Sequence, residues 1–153
     1  MKRRTFLYLA AAVAAAVAAA PGSALASNYA MTVHKDAGCA CCAAWASAYS
    51  KAGYVVRTVN EPDMDAVKAG FEVPSGLWGC HTAKIEGYYL EGHVPLEAAE
   101  RLLRERPPLA GLAVAGMPSG SLGMGNDPGA NYDVIAVPRD GSKPYVYLAV
   151  NPG

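Results

Sequence analysis

Between residues 29 and 69 the chain alternates between a two-residue and a helical hydrophobic rhythm, which commits it to interleaved strands and helices. YAMTVHK (29–35) alternates and is rich in strand formers, so it predicts a first strand. After DAGC, the run ACCAAWASAYSKAG (40–53) carries strong helix formers and ends on a glycine suited to a helix stop. YVVRTVN (54–60) predicts a second strand, and Glu61-Pro62-Asp63 opens a short helix over 62–69.

Further along, VPSGLWGCHTA (73–83) reads as a turn-rich connector and KIEGYYLEGHV (84–94) as a hairpin or one bent strand. PLEAAERLLRERP (95–107) predicts a helix with Pro95 in its first turn and an apolar stripe of Leu96, Ala99, Leu102 and Leu103. A Gly/Pro/Met-rich loop, GLAVAGMPSGSLGMGNDPGANY (111–132), leads to strands YDVIAV (132–137) and YVYLAV (145–150), with Asp140-Gly141 marking the turn between them. Two helix crossovers and a terminal hairpin predict an α/β chain with a small mixed sheet flanked by helices, of the thioredoxin-like kind. A cysteine pair where a helix opens after strand one is that fold's usual active-site position, although a fold does not by itself assign a function.

The chemistry concentrates in four cysteines. Cys39 and Cys42 are spaced C-x-x-C, and residues three apart share a helix face, so both sulfurs reach one partner. The helix N-terminus favours the thiolate, which metal binding and thiol exchange both require. Cys41, inserted between them, has no use in a plain redox dithiol or a disulfide staple. Either it is a small buried apolar group, or it bridges metal ions. In a thioredoxin-like fold the Pro74 loop lies near the first helix, which brings Cys80-His81 toward the same place.

Three thiolates and an imidazole suffice for structural zinc. Four thiolates with His and Met ligands suit soft Cu(I). Met117 and Met124 in GMPSGSLGM lack the spacing of a helical core stripe, and His93 closes a strand just before the helix over 95–107. His34 is a weaker candidate beside the cluster, whereas Trp45 and Tyr88-Tyr89 read as packing. The sequence shows no phosphate loop, no Ser/His/Asp arrangement and no paired carboxylates placed for catalysis.

The first 26 residues stand apart. MKRRTFLYLAAAVAAAVAAAPGSALA has a basic start, an apolar run and small residues before Ser27, the pattern of an export signal cleaved after Ala26. Arg3-Arg4 suits twin-arginine export. Pro21-Gly22 leaves too short an apolar run to span a bilayer comfortably. One domain over 27–153 is therefore expected, in an extracytoplasmic compartment and without stable membrane insertion. Removing Lys2, Arg3 and Arg4 from 13 basic residues leaves ten against 13 acidic ones, a balance with no electrostatic footprint for nucleic acid.

Taken together, VHKDAGCACCAAW, VPSGLWGCHTAKIEGYYLEGHVP and GLAVAGMPSGSLGM resemble the CopG-type periplasmic copper-resistance family of predicted metal-binding proteins, over nearly the whole mature chain. That resemblance implies a thioredoxin-like fold, export to the periplasm and copper handling through Cys39, Cys41, Cys42 and Cys80. His81, His93, Met117 and Met124 fall within the same motif blocks. Ala40 and Gly79 stand where the family usually has Gly and Ser, and Ala115 and Leu122 where Pro is usual; none of these removes a ligand. The expected function is copper tolerance, with more than one Cu(I) held on a thiolate cluster whose copper can cycle its oxidation state. The expected partners are copper ions and other periplasmic copper-handling proteins. A metal-free thiol–disulfide oxidoreductase using Cys39 and Cys42, and a Cys3His zinc protein, are the alternatives.

Overall fold

The computed structural model describes residues 28–125 and 127–150. The expected export signal (1–26) lies outside them. The elements run β1 (Ala30–Lys35), α1 (Ala40–Lys51), β2 (Val55–Asn60), α2 (Met64–Gly70), a 3-10 turn (Ser75–Leu77), β3 (His81–Ile85), β4 (Tyr88–Glu91), α3 (Leu96–Glu105), β5 (Leu109–Ala113), β6 (Tyr132–Pro138) and β7 (Tyr145–Val150). They build one seven-stranded mixed sheet in the order β2-β1-β3-β4-β5-β6-β7. The expected α/β class, a mixed sheet flanked by helices, is what the chain adopts. β1 and β2 pair in parallel, as the helix crossover between them requires, and β3 and β4 form the hairpin.

Both faces of the sheet are covered. Trp45, Ala46 and Tyr49 of α1 and Ala98, Ala99, Leu102 and Leu103 of α3 pack with Met31, Val33, Ala83, Ile85, Leu90 and Leu112 in the main core. A smaller cluster of Val73, Tyr89 and Val137 gathers Phe71, Leu77 and Trp78 against it. Leu90 and Tyr89 are neighbours in β4 but belong to different clusters, as the two-residue period of a strand dictates.

Two expectations need correction. The stretch 73–83 is not all connector, because β3 already begins at His81 and pairs antiparallel with β1 through Lys35↔His81. The span 111–132 is not all loop either. β5 pairs parallel with β4 and antiparallel with β6, and so carries the sheet beyond the first four strands. Its Gly111 suggests a loop in the sequence, yet a Cβ there would strike the Tyr89 carbonyl and ring, so glycine is what lets the two strands close.

A buried ionic network holds the segment ahead of β3. The Lys68 ammonium of α2 donates to Glu91 Oε1 and, at 3.3 Å, to Thr82 Oγ1. Thr82 Oγ1 donates to Glu91 Oε2 at 2.6 Å, and the Gly79 amide to Glu91 Oε1 at 2.7 Å. Lys68, Thr82 and Glu91 are all buried, and every Glu91 oxygen is satisfied. The residue immediately before Cys80 is therefore pinned to the sheet.

Candidate metal centre

The site forms where the start of α1, the approach to β3, the end of β4 and the loop after β5 converge. Asp36 makes the turn from β1 into α1: its side chain accepts from the Gly38 amide at 2.7 Å and its carbonyl from the Cys39 amide at 3.2 Å. Cys39 is then the helix N-cap, its sulfur accepting from the Cys42 amide at 3.3 Å. Cys39 and Cys42 are joined as a disulfide, while Cys41 and Cys80 carry free thiols.

Cys41 is half-buried and faces the other sulfurs. Its Sγ lies 3.5 Å from Cys39 Sγ, 3.8 Å from Cys80 Sγ and 4.0 Å from the Met117 thioether. One potential ligand atom from each of Cys39, Cys41, Cys42 and Cys80 falls within 4.8 Å of the others, and the same holds for Cys80, His81 and His93. Cys80 belongs to both groups and joins them.

The histidines sit on the inner side. Cys80 Sγ is 2.9 Å from His93 Nε2 and 3.3 Å from His81 Nδ1. His81 is fully buried against Trp45 (ring centroids 4.4 Å apart) and near His93 (5.5 Å), and its buried Nε2 has no hydrogen-bond partner among the described residues. Burial pushes His81 down to about 3, with the charges of His93 and Lys68 adding to the effect. Burial likewise lowers His93, against a backbone hydrogen bond to Leu122. The Cys80 thiol is pushed up to about 12, first by burial and then by neighbouring Cys41. This pocket therefore offers neutral imidazoles, the form that binds metal.

The Met-bearing loop is fastened over the cluster. The Gly116 amide donates to the Trp78 carbonyl at 3.0 Å, and Gly79 bridges Gly116. Gly123 lies directly on α1, where a Cβ would sit 2.7 Å from the Cys41 carbonyl. The exposed Met117 reaches Cys41, whereas among the described residues the sulfur contacts of the cluster do not extend to Met124. Met124 is held through its amide, which donates to the Ser121 carbonyl at 2.8 Å. His34 takes a different partner, with Nδ1 2.7 Å from Glu61 Oε1.

Trp45 anchors the arrangement from below. It is fully buried and donates from Nε1 to the Val94 carbonyl at 2.9 Å, which ties α1 to the residue after His93. Sequence reasoning missed Ser121, Lys68 and Glu91 as supports of this centre. Only a buried Lys–Glu pairing between distant segments would have signalled the latter two, and sequence spacing does not reveal it.

A solved structure described as "Copper resistance protein copG, Form 1" is 40% identical, with a TM-score of 0.75, covering 83% of this chain and 100% of that one. The chain belongs to the CopG copper-resistance family. A second structure, "Form 2" of the same description, is 39% identical with a TM-score of 0.74, covering 81% of this chain and 99% of that one. The family described as "Protein of unknown function, DUF411" matches residues 77–124, the stretch that holds Cys80, His81, His93, Met117 and Met124. No curated protein matches the chain. The CopG relationship thus spans the elements that carry both halves of the cluster.

Proposed function

We propose that this protein is a periplasmic copper-binding protein of copper tolerance, which holds several Cu(I) ions on Cys39, Cys41, Cys42 and Cys80. His81, His93, Met117 and Met124 complete the expected ligand set. The observation that carries the reading is the position of Cys41, within 4.0 Å of Cys39, Cys80 and Met117 sulfurs. A sulfur at the centre of others serves to bridge soft ions, and thiolate with thioether selects Cu(I) over harder metals. Reduction of the Cys39–Cys42 disulfide supplies the remaining two thiolates. Among the described residues no helix is long and apolar enough to cross a membrane.

Loading the reduced protein with Cu(I) under anaerobic conditions tests this. More than one copper per chain is expected, and fewer for Cys41→Ser. Unchanged stoichiometry in that variant removes the bridging role. Zinc at one per chain that copper cannot displace favours the zinc alternative instead.

The Cys39–Cys42 disulfide supports a second, redox reading. Closing the dithiol to a disulfide releases two electrons and two protons, enough to reduce two Cu(II) to two Cu(I). The same pair serves a metal-free thiol–disulfide oxidoreductase, and a disulfide-reductase assay with Cys39→Ser as control separates the two. Robust turnover without copper favours the metal-free enzyme.

A further inference from the structure

We propose that Ser121 is the positioning residue for His93: its hydroxyl fixes the ring as the Nδ1–H tautomer and leaves the Nε2 lone pair aimed at Cys80 and any metal held there. The assignment of His93 as a metal ligand rests on the copper reading above; the tautomer does not.

The geometry leaves the Ser121 hydroxyl one role. Ser121 is fully buried in the loop after β5, with Oγ 2.6 Å from the Pro118 carbonyl and 3.1 Å from His93 Nδ1. A hydroxyl has one proton and a carbonyl can only accept, so the shorter contact takes that proton. The oxygen then presents a lone pair to Nδ1, and Nδ1 must carry the ring proton. In a neutral imidazole the other nitrogen is left as an acceptor. That nitrogen is Nε2, 2.9 Å from Cys80 Sγ.

The backbone holds Ser121 in place whatever its side chain. Its amide donates to the Pro118 carbonyl at 3.1 Å, and its carbonyl accepts from the Met124 amide at 2.8 Å. The loop that carries Met117 therefore also sets the orientation of a histidine on the opposite side of the cluster. A ring whose outer nitrogen is hydrogen-bonded this way is oriented and made more basic toward metal at the inner one.

Two measurements decide the matter. Two-bond proton–nitrogen NMR on the metal-free protein should show His93 as the Nδ1–H tautomer; an Nε2–H ring overturns the proposal. Competition of the reduced protein with a chromogenic Cu(I) chelator should show Ser121→Ala binding about tenfold or more weakly, and Ser121→Thr within about threefold of the parent. The alanine variant keeps both backbone ties, so it should stay folded, with His93 spread over both tautomers. A Ser121→Ala protein that keeps the single tautomer and the parental affinity also overturns the proposal. A parent protein that takes up no Cu(I) defeats the copper reading alone, and the metal-free spectrum still decides the role of Ser121.

Discussion

Cys80 Sγ and His93 Nε2 meet at 2.9 Å as a neutral thiol and a neutral imidazole, not as an ion pair. Burial drives the two groups in opposite directions, Cys80 up to about 12 and His93 below its ordinary value, and both shifts disfavour charge. Cys80 is thus protonated in the metal-free protein at neutral pH and must lose a proton to bind metal. Cu(I) affinity should rise with pH by about tenfold per unit for that one proton, with release of acid on loading. Titration in weak buffer at pH 6 and pH 8 checks this. Equal affinities at the two pH values would show that Cys80 is already ionised or does not bind.

His81 makes the fold acid-sensitive. Its pKa in the folded chain is about 3, well below the value of about 6.5 for an open chain. Between those two values the unfolded state binds the extra proton, so stability is fully present above about pH 6.5 and declines as pH falls toward 3. The loss should reach a few kcal/mol at the acid end. Urea unfolding of parent and His81→Phe at pH 7 and pH 4 measures it. The phenylalanine variant should lose distinctly less stability on acidification, and an identical loss in both would place the acid sensitivity elsewhere.

The pairing of Lys68 with Glu91 predicts an asymmetric mutational response. Removing one partner strands a buried charge, so Lys68→Met alone should cost about 3–5 kcal/mol. Combining it with Glu91→Gln leaves no buried charge, and the amide oxygen still accepts from the Gly79 amide that Glu91 now holds at 2.7 Å. The double variant should therefore recover part of the loss in denaturant unfolding. Additive losses would mean the two groups are not energetically coupled.

What the sequence disclosed about this centre follows from which signals are local. The β-α-β rhythm and the C-x-C-C spacing act within a few residues, so α1 and its cysteines were legible, and the motif order was enough to recognise the family. β5 was obscured because LAGLA is short and carries Gly111, whose purpose is visible only against Tyr89 in the neighbouring strand. Ser121 carries no signal of its own in a glycine-rich loop, because its partner, His93, lies 28 residues earlier. Met117 and Met124 look equivalent in sequence, yet only the first has its sulfur in contact with Cys41 among the described residues. That difference arises from the way the loop crosses α1.

Gly123 is where that crossing can be tested. It has φ +94, and an added Cβ would lie 2.7 Å from the Cys41 carbonyl and 3.2 Å from the Trp45 Cβ. Gly125 has nearly the same backbone, φ +91, and among the described residues nothing lies within 4 Å of an added Cβ. Alanine at either position carries the left-handed strain, worth about 1 kcal/mol or more. Only at Gly123 does it also push the loop off the helix. Gly123→Ala should therefore withdraw Met117 from Cys41 and weaken Cu(I) binding by about tenfold, a change of about 1.4 kcal/mol. Gly125→Ala should lose stability but keep its affinity for Cu(I). Chelator competition and thermal unfolding on the two variants separate strain from packing. If both lose affinity equally, the loop acts through its general rigidity, and the contact at Gly123 has no special part in holding Met117.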